Sequence, residues 1–285
     1  MYRIVAKEIL APVTKLLVIE APEVARKAQA GQFVIVRVCE EGERIPLTIA
    51  DYDREKGTVT LVFQEVGKTT KHLGTMNEGE TLASFTGPLG RPTEIEKYGT
   101  VMCVGGGVGI APIYPIARAL REVGNYIISI IGARTSDLLF WEDKMRSVSD
   151  ELIVCTDDGS YGRKALVTAP MKEVLESDRS IHRIWAIGPA IMMKFCSLTS
   201  KPYGVPTIVS LNSIMVDGTG MCGACRVEVG GSTKFVCVDG PEFDGHQVDW
   251  DLLLSRQRIY LAEEKQALMR YERICACSPK STKEG

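Results

Sequence analysis

The chain has 285 residues, of which 45% are hydrophobic, and its formal net charge is −2. This length suits two domains or slightly more, and the near-neutral charge argues against a nucleic-acid or membrane surface as the partner. The first residues carry charges too early for a signal peptide, and no apolar run is long enough to span a bilayer, so we expect a cytoplasmic protein.

The first 96 residues predict a small β barrel. Short segments rich in Val, Ile, Thr and aromatic residues alternate with turn glycines, and they lie at Tyr2–Leu10, Lys15–Glu20, Phe33–Cys39, Leu47–Tyr52, Thr58–Gln64 and Thr81–Phe85. Six short strands at this spacing favour a closed antiparallel barrel. One helix is predicted in this part of the chain, over Gly67–Met76.

Between residues 97 and 211, apolar strands alternate with segments of helical spacing. The predicted strands are Thr100–Val104, Ile127–Ile131, Leu152–Cys155, Arg183–Ile187 and Pro206–Leu211. The predicted helices are Ile110–Val123, Leu138–Val148, Ala165–Glu176 and Ile191–Ser200. This alternation predicts an α/β domain with a doubly wound parallel sheet, whose ligand should bind beyond the carboxyl ends of the strands.

Residues 212–250 form a glycine-rich stretch that contains Cys222, Cys225 and Cys237. Plant-type [2Fe–2S] sites use Cys-x4-Cys-x2-Cys and a distant cysteine; the last three positions match here, and Asp217 occupies the first. We therefore predict a small [2Fe–2S] domain with these four ligands. A zinc site with the same residues, unligated loop cysteines, and Asp217 as an ordinary turn aspartate are the alternatives.

The last segment, residues 251–285, predicts a helical extension over Asp251–Glu272 and a disordered polar tail. Cys275 and Cys277 lie in this extension, and either could supply the fourth cluster ligand if the chain folds back.

Two segments of the barrel indicate a flavin site. A helix N-terminus with glycine and two hydroxyls suits a phosphate, and a neighbouring arginine can neutralise a pyrophosphate. Thr48 could bond the edge of a flavin ring. The FAD-binding candidates are Arg44, Pro46, Leu47, Thr48, Val66, Gly67, Thr69 and Thr70. A solvated surface arginine and an ordinary helix cap explain the same residues taken singly.

Four loops at predicted strand ends indicate a nicotinamide nucleotide. A glycine-rich turn after the first strand allows close approach of a pyrophosphate, although the spacing is not G-x-G-x-x-G. Two carboxylates could accept ribose hydroxyls, and Arg134 could meet a 2′-phosphate, so NAD and NADP both stay open. The candidates are Gly106, Gly107, Val108, Gly109, Ala111, Pro112, Ala133, Arg134, Asp157, Asp158, Gly159, Gly188 and Pro189.

Taken in order, the segments up to residue 211 resemble the ferredoxin–NADP reductase superfamily. With the cysteine loop added, the chain resembles the electron-transfer subunit of dihydroorotate dehydrogenase B, and more closely the small subunit of NADH-dependent ferredoxin:NADP oxidoreductase. Asp217 favours the second branch, because the dihydroorotate subunits have cysteine there. Ala186 departs from the superfamily, which often has cysteine just before the Gly-Pro loop.

This resemblance implies an oxidoreductase subunit that passes electrons between NAD(H) or NADP(H), FAD and a [2Fe–2S] cluster. It also implies a heterodimer with a larger flavoprotein that carries iron–sulfur clusters, where electron bifurcation is one arrangement open to the complex. No catalytic acid or nucleophile is needed, because the cofactors do the chemistry. The alternatives are the dihydroorotate dehydrogenase B subunit and a non-redox nucleotide- and zinc-binding sensor module.

Overall fold

The computed structural model describes the backbone of residues 2–277 and the side chains of residues 2–273. Its first sheet consists of β1 (Tyr2–Ala11), β2 (Thr14–Glu20), β3 (Phe33–Arg37), β4 (Arg44–Asp53), β5 (Thr58–Gln64), β6 (Thr81–Leu82) and β7 (Ser84–Leu89). These strands pair antiparallel in the order β6-β1-β2-β5-β4-β3-β7. Two helices accompany them, α1 (Pro22–Lys27) and α2 (Lys68–Thr75).

The segment predicted as one strand, Thr81–Phe85, joins the two edges of this sheet. Its first part, β6, pairs with β1 through Leu82 and Tyr2, and its second part, β7, pairs with β3 through Phe85 and Val36. The sheet is therefore a nearly closed barrel, as predicted, but with seven paired segments in place of six.

Helix α1 corrects the prediction that only one helix accompanies the barrel. Pro22 occupies its first turn, where the missing N–H is not needed, and Val24 and Ala25 are buried in the barrel core. Six residues are too few to show helical periodicity, which is why the sequence pattern did not reveal this helix.

The second sheet carries the predicted doubly wound arrangement. Its strands are β8 (Thr100–Gly106), β9 (Tyr126–Ala133), β10 (Glu151–Thr156), β11 (Arg163–Lys164), β12 (Arg183–Ile187) and β13 (Thr207–Ser210). Its helices are α3 (Ile110–Glu122), α4 (Glu142–Ser147), α5 (Thr168–Glu176) and α6 (Ala190–Ser200). All neighbouring pairs among these strands are parallel. Helix α4 is shorter than predicted, because Trp141 has a left-handed φ of +57°, which a helix cannot include, and Ser136–Leu138 form a separate 3-10 turn.

The cysteine-rich segment adds β14 (Arg226–Val229), β15 (Ser232–Phe235), α7 (Val236–Asp239) and β16 (Glu242–Asp244), and it leads to α8 (Trp250–Arg256) and α9 (Leu261–Cys277). Strand β16 pairs antiparallel with β13 and so completes the edge of the second sheet. The single helix predicted over Asp251–Glu272 is two helices, and α9 folds back onto α2, where Glu272 pairs with Lys71 at 2.5 Å.

The cysteine-rich segment shares its core with the other two parts of the molecule. One buried cluster joins Phe33 of the barrel, Met102 and Ala186 of the second sheet, and Val227 and Trp250. This sharing explains how a segment with few apolar residues is ordered. The domain bounds 1–96, 97–211, 212–250 and 251–285 stay a prediction. Within residues 2–277, no helix combines the length and apolar character needed to cross a bilayer.

Candidate functional site

The predicted nucleotide loops all lie at one edge of the second sheet. Residues 105–109 follow β8, Ala133 and Arg134 lie at the end of β9, residues 157–159 follow β10, and Gly188 and Pro189 follow β12. Because these strands are parallel, their carboxyl ends meet at the same edge, where ligands of such sheets bind. The structure therefore brings together all four predicted loops.

Hydrogen bonds fix the loops after β9 and β10 to each other. The amide of Asp157 donates to the carbonyl of Ala133 at 3.1 Å, and that of Asp158 donates to the carbonyl of Arg134 at 3.2 Å. The amide and hydroxyl of Ser160 hold the pKa of Asp158 below its usual value. The Asp158 carboxylate therefore accepts hydrogen bonds within its own loop, as aspartates in turns do.

The glycine turn and the Gly-Pro loop also touch. A methyl group on Gly109 would collide with the carbonyl of Ile187, and one on Gly188 would lie 3.0 Å from the carbonyl of Gly106. These two glycines are therefore required for backbone packing between the loops. Met192, on the first turn of α6, packs against both Gly106 and Gly188. The sequence analysis missed this residue, although its place in the first turn after a predicted loop was a usable signal.

The predicted flavin strand lies against the cysteine loop. Pro46, Leu47 and Thr48 pair with β3, and Arg44 begins β4. The Arg44 guanidinium donates through Nε to the carbonyl of Val216 and through Nη2 to that of Asp217, each at 3.2 Å. Arg44 is therefore not a freely solvated arginine but a link between the two predicted cofactor segments.

The start of α2 is a self-capped helix N-terminus. The Thr70 hydroxyl accepts from the amides of Val66 and Gly67, at 3.1 and 3.0 Å. The Thr69 hydroxyl donates to the Glu43 carboxylate at 2.5 Å. This hydrogen bond is the main reason why the pKa of Glu43 lies below its usual value. Both hydroxyls thus have internal partners, so the phosphate cradle at Gly67–Thr70 stays a prediction.

The cysteine loop brings two of the four predicted ligands together. The Sγ atoms of Cys225 and Cys237 are buried, free of a disulfide and 3.2 Å apart. Cys222 is exposed. The Asp217 carboxylate accepts from the amide of Thr219 at 3.0 Å and from the amide of Met221 at 3.1 Å. Among the described residues, no three Cys, His, Asp or Glu side chains converge on one metal-sized point.

Backbone amides give the loop its electrostatic character. The amides of Ala224 and Asp217 hold the pKa of the Cys222 thiol below its usual value. Amides of the same loop also lower the pKa of the Asp217 carboxyl. Burial, followed by the neighbouring Cys225, raises the pKa of Cys237 to about 12.

Three glycines let the loop wrap closely. Gly218, Gly220 and Gly223 have φ values of +82°, +90° and +65°, a region that favours glycine. A methyl group on Gly218 would also lie 2.7 Å from Ile35 of the barrel. Paired buried thiols, inward amides and a tightly turned backbone fit a bound iron–sulfur cluster with Asp217, Cys222, Cys225 and Cys237 as its proposed ligands.

An ion pair that the sequence analysis missed joins the barrel to the second sheet. Arg118 of α3 donates to Asp51 of β4 at 2.8 Å and lies over the rings of Tyr52 and Tyr114. Lys144 of α4 approaches the same carboxylate at 3.5 Å. This cluster joins the predicted flavin strand to α3, the helix that follows the glycine turn, and no local motif marks it.

A second missed residue, Glu242, lies where all three parts meet. Its carboxylate accepts from the Thr93 hydroxyl at 2.6 Å and from the Trp185 indole at 3.3 Å. Burial raises the pKa of Glu242 to about 7, against the smaller opposing effects of these two hydrogen bonds and of Arg183.

Comparison with known proteins agrees with this arrangement. Residues 212–249 match the family described as the iron-sulfur cluster binding domain of dihydroorotate dehydrogenase B. The chain is 54% identical over 256 residues to a Thermotoga maritima protein named dihydroorotate dehydrogenase B (NAD(+)), electron transfer subunit homolog, with 90% of this chain and 89% of that protein covered. The chain belongs to this family of electron-transfer subunits.

Two further relatives extend the comparison. The electron transfer subunit from Desulforamulus reducens is 33% identical over 87% of this chain and 97% of its own length. A solved structure of NADH-dependent reduced ferredoxin-NADP oxidoreductase, described for flavin-based electron bifurcation, is 51% identical, has a TM-score of 0.90, and covers 96% of this chain and 98% of its own.

Membership in the family confirms the main predictions from the sequence. The chain is an oxidoreductase subunit that transfers electrons with a flavin, an iron–sulfur cluster and a nicotinamide nucleotide. The predicted resemblance and fold are confirmed as well. The relatives are electron-transfer subunits of complexes, which confirms the coarse part of the partner prediction. Cys275 and Cys277, the alternative ligands, have side chains outside the described part of the chain, and so does the predicted disordered tail from residue 278 on.

Proposed function

We propose that this subunit passes electrons between NAD(H), FAD and a [2Fe–2S] cluster and exchanges them with a larger flavoprotein partner that carries iron–sulfur clusters. The reaction would be that of NADH-dependent reduced ferredoxin-NADP oxidoreductase, with electron bifurcation in the assembled complex. The 51% identity to that protein over nearly the full length of both chains supports this choice.

The observation that carries the proposal is the pair of hydrogen bonds from Arg44. This side chain belongs to the proposed flavin strand, and it bonds two carbonyls at the start of the proposed cluster loop at 3.2 Å. Electrons pass efficiently only between cofactors that lie close together. A direct contact between the two segments is what such a transfer requires.

At the sheet edge, the residues bind and orient the nucleotide. The turn at residues 106–109 leads into the N-terminus of α3, where the unpaired amides of a helix start would receive a pyrophosphate. The Asp157 loop would accept ribose hydroxyls, while Arg134 beside it would decide whether a 2′-phosphate is tolerated. Flavin and cluster, when bound, supply two-electron and one-electron chemistry respectively.

In the cysteine loop, two of the proposed ligands, Cys222 and Asp217, carry negative charge. The amides directed at Cys222 favour its thiolate, and the Asp217 carboxylate contributes one more negative charge. Cys225 and Cys237 lie in the shared core and exclude water from one side of the site. No side chain in this arrangement needs to act as an acid, base or nucleophile.

An anaerobic ultraviolet–visible spectrum of the purified chain tests the proposal, with iron, zinc and flavin assayed on the same sample. We expect flavin bands and a broad iron–sulfur absorbance, both of which bleach when NADH is added. A colourless protein that holds zinc, without iron or flavin, would contradict the proposal and favour a nucleotide- and zinc-binding module.

Asp217→Cys tests the fourth ligand. If Asp217 is a ligand, the variant keeps a cluster with an altered visible spectrum and midpoint potential, because a thiolate is softer and more covalent than a carboxylate. Asp178→Cys, an exposed aspartate that follows α5 in the second domain, is the control and should change neither property. An unchanged spectrum and potential in Asp217→Cys would show that this carboxylate is only a turn residue.

The electron-transfer subunit of dihydroorotate dehydrogenase B remains a second candidate, because the relative at 54% identity carries that name. The two candidates differ in the acceptor served by the native complex. NADP⁺ reduction by NADH with reduced ferredoxin supports the first, whereas orotate reduction by NADH in the absence of ferredoxin supports the second.

A further inference from the structure

Three arginines from distant parts of the chain donate to main-chain carbonyls of the cysteine loop. Arg44 bonds the carbonyls of residues 216 and 217. Arg256 of α8 donates through Nη2 to the carbonyl of Ala224, at 3.1 Å, between two of the cysteines. Arg91, just after the barrel, donates through Nε to the carbonyl of Val238, beside the third cysteine, also at 3.1 Å.

The residues that accept from Arg44 and Arg256 are the same ones whose amides act on Cys222. Amides of Ala224, Asp217 and Val216 are directed at that sulfur, and the carbonyls of these three residues receive guanidinium N–H groups. Within one trans peptide unit the C=O and N–H groups point in opposite directions, so the Asp217 amide that acts on Cys222 leaves the Val216 carbonyl on the other side, where Arg44 donates to it. The arginines donate to these carbonyls with charge-assisted hydrogen bonds.

Further hydrogen bonds tie the segments that carry Arg91 and Arg256 to the same cysteine-rich segment. The amide of Arg91 donates to the carbonyl of Gly240 at 2.6 Å, so both its backbone and its side chain hold the turn after Cys237. Beside Arg256, Gln257 donates to the carbonyl of Asn212 at 2.9 Å, where the cysteine-rich segment begins. The barrel and α8 therefore hold the loop from two sides.

We propose that Arg91 and Arg256, together with Arg44, are positioning residues of the cluster loop. They keep its carbonyls outward and its amides inward, and their positive charge offsets the negative charge of the cluster and its ligands. This inference rests on the proposed function, because it assigns these arginines a role toward the cluster. Arg44 has a second role in the flavin segment, so Arg91 and Arg256 are the residues to test.

The experiment compares Arg256→Gln, Arg256→Lys and Arg258→Gln in the full chain with its cofactors. Arg258 lies two residues further on, is exposed, and loses the same charge on substitution, so it is the matched control. The readouts are the midpoint potential of the cluster and the rate at which a chelator removes iron. Hydrogen bonds to the sulfurs and the local net charge both set such potentials.

We expect Arg256→Gln to lower the midpoint potential, since the reduced cluster carries more negative charge, and to lose iron roughly fivefold faster, the factor for about 1 kcal/mol of lost stabilisation. Arg256→Lys keeps a cationic donor and should stay near the native values, and Arg91→Gln should behave like Arg256→Gln. If Arg256→Gln matches Arg258→Gln in both readouts, the inference is wrong.

Different results contradict the proposed function and the role of the arginines. A native chain that holds zinc in place of iron contradicts the proposed function before any variant is made. In that case the rate of zinc loss from Arg256→Gln and Arg258→Gln tests the inference, because the hydrogen bond from Arg256 to the Ala224 carbonyl involves no metal. Equal metal loss from these two variants would again overturn the inference.

Discussion

Glu242→Gln should change the pH dependence of stability. The carboxyl accepts hydrogen bonds from Thr93 and Trp185, and burial raises its pKa from the ordinary 4.5 to about 7. The amide of glutamine never becomes charged: its oxygen can accept from the Trp185 indole, while its NH2 group donates to the Thr93 hydroxyl. The substitution therefore removes the titration while it keeps most of the packing at the junction of the three parts.

The magnitude follows from the two pKa values. Below about pH 4.5 the carboxyl is protonated in both states, and its protonated form contributes fully to stability. Between about pH 4.5 and 7 the unfolded chain releases a proton that the folded chain retains, so stability falls by about 1.4 kcal/mol per pH unit. From pH 5 to pH 8 the native chain should lose roughly 2.5 kcal/mol through this one group.

Thermal unfolding midpoints of the native chain and of Glu242→Gln, measured from pH 5 to pH 8, provide the assay. The midpoint of the variant relative to that of the native chain should rise by roughly 5 °C from pH 5 to pH 8, as expected for a protein of this size. Glu228→Gln, an exposed change on β14, is the control and should follow the native curve. Parallel curves for the native chain and Glu242→Gln would refute the reasoning, because Glu242 would then ionise freely in the fold.

Three more outcomes test the nucleotide edge and the joint with the barrel. Gly109→Ala forces a methyl group against the carbonyl of Ile187, so NADH affinity, measured by fluorescence titration, should fall roughly tenfold; unchanged affinity would show that the loops can separate. Arg134→Gln should weaken NADPH binding in a direct titration and leave NADH binding within about twofold; equal effects on both nucleotides would remove Arg134 from the 2′-phosphate site. Asp51→Asn weakens the ion pair with Arg118 and should lower the free energy of unfolding in urea by roughly 1–2 kcal/mol; no loss would show that the partly buried pair adds nothing.

Local patterns in the sequence determined much of the fold. The alternation of strands and helices predicted the second sheet, and five of its strands lie where the pattern placed them. The glycine turn before α3 and the spacing of Cys222 and Cys225 are also local, because each depends on residues a few positions apart. Such signals survive in a single sequence since the physical constraint acts within one turn or one strand.

Other features depended on how distant segments pack. The sequence showed a strand at Thr81–Phe85, but only the closing of the barrel divides it between two partners. It showed Arg44 as a flavin candidate, but its carbonyl partners lie 172 and 173 positions away. Glu242 looked like one carboxylate among many, and its raised pKa arises from burial between segments that meet only in the folded chain.

The sequence by itself thus determined which cofactor segments exist, and the tertiary structure decided how they face each other. Strand periodicity, glycine turns and cysteine spacing are set by covalent geometry and short-range sterics, so they can be read along the chain. The contacts of Arg44, Arg91 and Arg256 with one loop depend on the relative placement of the barrel, the loop and α8. That placement is fixed by the shared hydrophobic core, whose contacts no local pattern specifies.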